Sequence, residues 1–241
     1  MSDIHSAEVE TRRRTWPTWV EIILASGFPT QITIGLALRA GGLSPMLPDG
    51  SLSAPFTFAL TLIDTVILLS LIIWLIVRRG ESPRKVFFGD RPVVPESILG
   101  IVSLPVVILL VAALMIAIRT GLPQLWNVPK NPLEAFLETQ TGLLTFLFVV
   151  IVGGGFREEL QRAFLLYRFR EDLGQPWMGV LITSLAFGMG HTLQGYDAAI
   201  ITGTLGAIWG VMYILRRSAV APIVSHSLFN SAELLRVFFL R

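Results

Sequence analysis

Residues 141–162 read TGLLTFLFVVIVGGGFREELQR. The first twelve are almost all apolar. Three glycines then lead without a break into Arg157, Glu158, Glu159 and Arg162. A turn-like stretch, Glu171-Asp172-Leu173-Gly174-Gln175-Pro176, comes only later, so the helix that starts in the apolar run continues through the charges. Glu158 lies 16 residues before Gly174, which at ~1.5 Å per helical residue puts it ~24 Å from the turn. An ionisable side chain at such a depth in hydrocarbon is costly, and it marks function by default.

The rest of the chain makes hydrocarbon the right surroundings. Of its 241 residues, 53% are hydrophobic and 15% are charged, and the mean hydropathy is +0.67. A soluble domain carries about 25% charged residues, which it needs to cover a surface that stays wet. The composition argues against a soluble enzyme, a disordered chain and a disulfide scaffold. With no Cys, thiolate nucleophiles and Cys-ligated metals are impossible. The net charge of +2 is spread between apolar runs, so no nucleic-acid partner is indicated. The partner it implies is the lipid bilayer.

A spanning helix needs ~20 mostly apolar residues. Seven candidates fit, at 19–38, 55–77, 97–118, 141–158, 177–194, 198–215 and 219–239. The expected fold is therefore all-α: a polytopic transmembrane helical bundle of about seven spans, six to eight with the uncertainty of ends. The first candidate holds Glu21, Pro29 and Gln31 and has the outline of a signal peptide; no clear cleavage site follows, so it reads as a retained helix. Arg12–Arg14, Arg78, Arg79, Arg84, Lys85, Arg91, Arg168, Arg170, Arg216 and Arg217 fall on one side of the bundle. The opposite loops carry only Arg39, Arg119 and Lys130. Cytoplasmic loops hold the positive excess, which predicts a multi-pass cell-membrane protein with its N-terminus inside. Residues 1–18 read as a cytoplasmic tail, 19–140 as a variable transmembrane region of about three helices, and 141–241 as a catalytic core of about four.

Two further helices carry polar residues in the membrane. Span five contains Phe187-Gly188-Met189-Gly190-His191, and span seven contains His226-Ser227-Leu228-Phe229-Asn230. Residues four apart share a helix face, so Glu158 and Arg162, Phe187 and His191, and His226 and Asn230 form three stripes. His191 lies 16 residues after Gln175, and His226 nine after Arg217. The counts place all three at similar depth, on the cytoplasmic side of the midplane. Arg162 can keep a neighbouring carboxylate ionised there. The glycines at 153–155, 188 and 190 allow close helix approach. No His-Glu-x-x-His sequence is present. Two His and a Glu could hold a metal, or a carboxylate and an imidazole could activate a water for attack on a carbonyl, with Asn and the second His as oxyanion donors.

Glu158-Glu159-x-x-Arg162, Phe187-x-x-x-His191 and His226-x-x-x-Asn230, in this order on successive apolar helices, resemble the CPBP family of CAAX proteases and bacteriocin-processing (Abi) enzymes, which includes the type II CAAX prenyl endopeptidases. The resemblance covers roughly 141–235. It implies an intramembrane glutamate protease with no cofactor and no catalytic metal. By motif position Glu158 would be the general base, assisted by His191. Glu159 and Arg162 would orient and tune the site, and His226 and Asn230 would form the oxyanion hole. Phe187 is expected beneath His191, packing and meeting substrate. The implied substrate is a membrane-associated or lipidated peptide, reached through a cavity opening toward the cytoplasm. The eukaryotic-type enzymes are read with eight helices, against the seven counted here.

Two other functions compete. A catalytically silent member could act as a scaffold or a bacteriocin-immunity protein. A proton-coupled transporter would also place Glu, Asp and His in the membrane, but it would more often show broken-helix repeats, and none is evident. Asp64, in mid-span two, belongs to no motif and reads as a structural hydrogen-bonding residue. Gln194, Tyr196 and Asp197 read as helix caps.

Overall fold

The computed structural model describes residues 16–240. Most of the expected cytoplasmic tail, with Arg12, Arg13 and Arg14, lies outside the described residues. Among those described the chain is an all-α bundle, its one β-type contact being a bridge between Met46 and Leu52. Helices α1 (16–24) and α2 (Phe28–Ala40) are followed by α3 (Ala54–Arg78), a short α4 (Pro83–Phe88) and α5 (Val93–Gly121). Then come α6 (Gln140–Val149), a π-helical segment (Val150–Glu158), α7 (Glu159–Glu171), α8 (Pro176–Met189), α9 (Tyr196–Arg216) and α10 (Val220–Phe239).

Four stretches are long and apolar enough to cross a membrane: Trp16–Ala40, Ala54–Arg78, Pro83–Gly121 and Tyr196–Arg216. The other expected spans also form helices, but they are shorter or interrupted by the polar stripes. The first span is broken where the glycine-favouring φ of 86° at Gly27 turns α1 into α2. α3 starts at a Ser53 cap whose hydroxyl accepts from the Phe56 amide, with Pro55 in the first turn. α5 shows how lipid and core share one helix. Gly100, Val107, Val111 and Ile118 are buried on one stripe, while Val102, Val106, Leu109 and Ile116 are exposed on the other. Gly100 lets α10 approach, since a Cβ there would sit 2.7 Å from the Ala221 carbonyl oxygen.

The arginine-rich end of the bundle is closed by an ion cluster. Arg79 pairs with Glu21 at 2.8 Å and Asp172 at 2.7 Å. Arg168, fully buried, pairs with Glu21 and Glu81, each at 2.7 Å. These contacts tie α1, α3 and α7 together. On the inner side they adjoin a core built from Leu68, Ile72, Phe164, Leu166 and Phe169.

Two expectations need correction. α8 ends at Met189, not at 194, because the chain turns at Gly190 and then runs through a 3-10 turn, Thr192–Gln194, to Gly195 with φ 121°. His191 therefore stands just beyond the helix, where it caps that turn. The second correction concerns the opening of the site, described below.

Candidate active site

The apolar run and the charged run of residues 141–162 are joined by the π-helical segment, whose wider turn changes where each successive side chain points. The consequence falls on Glu158 and Glu159. Glu159 is buried, and its Oε1 accepts from Arg162 one turn on and from His226 Nδ1 at 2.8 Å. The Glu158 side chain remains 24% exposed, with Oε2 3.9 Å from the other ring nitrogen, His226 Nε2. One imidazole thus bridges a locked carboxylate and an open one. With Nδ1–H given to Glu159, Nε2 accepts a hydrogen bond in the neutral ring and donates one in the imidazolium.

Arg162 lies with its guanidinium 4.6 Å from the centre of the Phe187 ring. Phe187 in turn meets His191 edge-on at 4.8 Å. His191 Nδ1 donates to the Phe187 carbonyl at 2.8 Å, which leaves Nε2 free as an acceptor. Phe187 therefore does hold His191 and Arg162 in place, as well as lining the cavity. Asn230, one turn beyond His226, also lines it. Gly154 makes room for Asn230: a Cβ at 154 would sit 2.7 Å from Asn230 Nδ2. Gly155 does the same for Ser227 of α10.

Sequence reasoning missed Trp209. Its indole stacks on the His226 imidazole at 3.8 Å and 15°, and its Nε1 donates to Ser225 Oγ at 3.2 Å. Ser103 of α5 donates to the same hydroxyl oxygen at 3.0 Å. The available signal was Gly206-x-x-Trp209-Gly210, a small-residue spacing that marks close helix packing. Gly206 meets the Phe187 ring, and Gly210 meets Leu166 and Arg162.

Glu158, His191, His226 and Asn230 border one cavity of about 460 Å³, within the usual range for ligand sites. Glu159 and Arg162 stand behind its wall. Apolar side chains such as Val111, Met115, Phe146, Leu205 and Phe229 make up much of the lining. The cavity runs from Trp209 and His226 up to Arg119, Asn131, Asp197 and Arg236. Trp209 is 13 residues below the start of α9, so the floor lies ~20 Å beneath that end. These upper residues belong to the charge-poor end, opposite Arg79 and Arg168. The charge rule and an opening toward the cytoplasm are therefore incompatible: if the arginine-rich loops are cytoplasmic, the cavity opens away from them. The reason is that α8 stops short, so the loop following it forms part of the rim. Among the described residues no group of three His, Asp or Glu side chains is arranged to hold one metal ion.

The family model described as Type II CAAX prenyl endopeptidase Rce1-like matches residues 139–232. The chain carries a CAAX-protease-like domain. The matched region includes Glu158, Glu159, Arg162, His191, His226 and Asn230. No curated protein and no solved structure matches the chain. Helices long enough to span a bilayer and this protease-family domain together make the protein a multi-pass membrane protein of the CAAX-protease type.

Proposed function

We propose that the protein is an intramembrane endopeptidase that needs no metal and hydrolyses a peptide bond with a water activated at Glu158. The observation that carries this reading is the unequal treatment of two adjacent carboxylates. Glu159 is consumed by Arg162 and His226, while Glu158 faces the cavity. A base must be free to take a proton from water, and Glu158 is the free one. His191 Nε2 supplies a second acceptor that can orient the same water.

The steps balance within these groups. Glu158 takes one proton as the water oxygen bonds to the scissile carbonyl carbon. The resulting oxyanion is met by His226 Nε2–H and the Asn230 amide. Glu159 holds the imidazolium that this donation needs. The C–N bond then breaks, and the proton on Glu158 passes to the leaving amine. The apolar lining suits the side chains of a membrane-associated or lipidated peptide. With the arginine-rich end cytoplasmic, such a substrate enters from the other leaflet.

The test is cleavage in nanodiscs of a library of membrane-anchored peptides, one of them a farnesylated CAAX peptide. Wild type is expected to cut at least one member and Glu158→Gln none. Equal cleavage by both proteins, or none by wild type, would overturn the proposal.

A further inference from the structure

Glu158 borders two cavities. Beside the main one lies a second of about 100 Å³, lined by Gln31, Thr61, Asp64, Gly153 and Arg157 together with Glu158. Thr61, Gly153 and Glu158 belong to both. Glu158 is the one titratable side chain they share. Asp64 and Arg157 form a buried ion pair in the second pocket. Asp64 also accepts from Thr30 Oγ1 at 2.5 Å and from Gln31 Nε2 at 3.4 Å.

The pair does not exhaust the polar groups. Arg157 is 6% exposed, and its Nε is buried with no hydrogen-bond partner. A charged donor left unsatisfied costs free energy that a ligand with an acceptor would recover. Water fits this space in size and chemistry. One molecule needs roughly 10–15 Å³, so the pocket has room for several. The walls offer both donors, at Arg157 and Gln31, and acceptors, at Asp64 and Glu158.

We infer that this pocket is a water site that supplies Glu158 from behind while substrate fills the main cavity. The inference rests on Glu158 being the water-activating base. Each turnover consumes one water, and an apolar peptide seated in the main cavity displaces the water already there. A carboxylate that borders a second, polar space escapes that conflict. Gly153 keeps the partition thin, since it puts no side chain between the two spaces. Asp64, which the motifs leave out, thereby gains a positioning role: with Arg157 it keeps the pocket polar at membrane depth.

Radiolytic hydroxyl footprinting of the full chain in nanodiscs tests the site without reference to activity, because bound water oxidises the side chains it touches. Leu60 lines the pocket, whereas Val66, on the same helix, is exposed on the outer face. Leu60 is expected to be oxidised at least fivefold more than Val66. Gln31→Leu, at an exposed position, removes a polar wall, and Thr61→Leu fills the space. Each is expected to cut the Leu60 signal and to lower kcat at least tenfold with KM within twofold. Thr61→Leu counts only if its melting profile matches wild type; Gln31→Leu gives the same readout without overpacking. A wild type that cleaves peptides but shows no excess oxidation at Leu60 overturns the water site and leaves the protease reading standing. Oxidation at Leu60 without cleavage of any peptide overturns the protease reading and leaves the water site. A kcat within twofold of wild type in Gln31→Leu overturns the supply role.

Discussion

Two buried charge clusters sit in this bundle, and they are built on opposite rules. At the arginine-rich end Glu21, Glu81 and Asp172 are each answered by Arg79 or Arg168. Nothing there faces a cavity, and the cluster acts as a staple between helices. In the centre two glutamates meet one arginine and one histidine. Glu159 takes both hydrogen bonds, and Glu158 is left over beside open space. The same residue types thus give stability where charges cancel and reactivity where one carboxylate has no cation of its own.

This contrast can be broken in graded steps. The largest effect belongs to Glu158→Gln, which should lower kcat by ~10²–10⁴-fold, the usual worth of a general base. Its unfolding free energy should stay within about 0.5 kcal/mol of wild type, because no ion pair is lost. Arg168→Met should do the reverse. Removing the cation from a fully buried cluster should cost about 3–5 kcal/mol in unfolding experiments in detergent. The fraction that stays folded should keep kcat within about twofold, since nothing at Glu158 is touched. If Arg168→Met instead abolishes turnover in protein shown to be folded, the two clusters are not separable.

Gly154→Ala sharpens the comparison from the packing side. The added methyl would displace the Asn230 amide, and a misplaced oxyanion donor should lower kcat by ~10–100-fold with little change in KM. Kinetics on the same peptide would read this directly. The smallest effect is expected for Glu233→Gln at the rim. Its pair with Arg236 at 2.9 Å is more than one-third exposed on both sides, so stability should change by less than about 1 kcal/mol. A larger loss would mean that the rim pair is part of the cluster beneath it.

The comparison also explains what could be read in the amino-acid order. Long apolar runs such as 55–77 and 97–118 became α3 and α5 with little adjustment, because a bilayer demands length and apolarity together. The three polar stripes were legible because charge is so scarce elsewhere in the spans. The different environments of Glu158 and Glu159 were not. They follow from a π-helical turn, and nothing in Val150–Gly155 announces i→i+5 bonding over i→i+4. The early end of α8 was hidden for a related reason. Gly188 and Gly190 read equally well as packing glycines or as a terminus, and Gly188 is indeed a packing glycine against the Ala199 carbonyl. The direction of the cavity could not be read at all, since it depends on which loop folds over which end. Trp209 was invisible as a site residue because a tryptophan in a spanning helix has a dozen unremarkable uses.

The shortness of α8 reaches beyond the protein itself. Its outward stripe, Trp177, Met178, Leu181, Ile182, Leu185 and Met189, is exposed to lipid. Twelve residue steps give that stripe a height of ~18 Å, against a hydrocarbon thickness of ~30 Å. Tilting the helix only shortens the height it covers. The acyl chains beside α8 must therefore compress or leave the polar loop after Met189 facing oil. The result is a local dimple in the bilayer beside the Thr192–Gln194 rim. There a lipid-tethered chain would ride closer to His191 than an undisturbed leaflet allows. The protein should accordingly favour thin membranes.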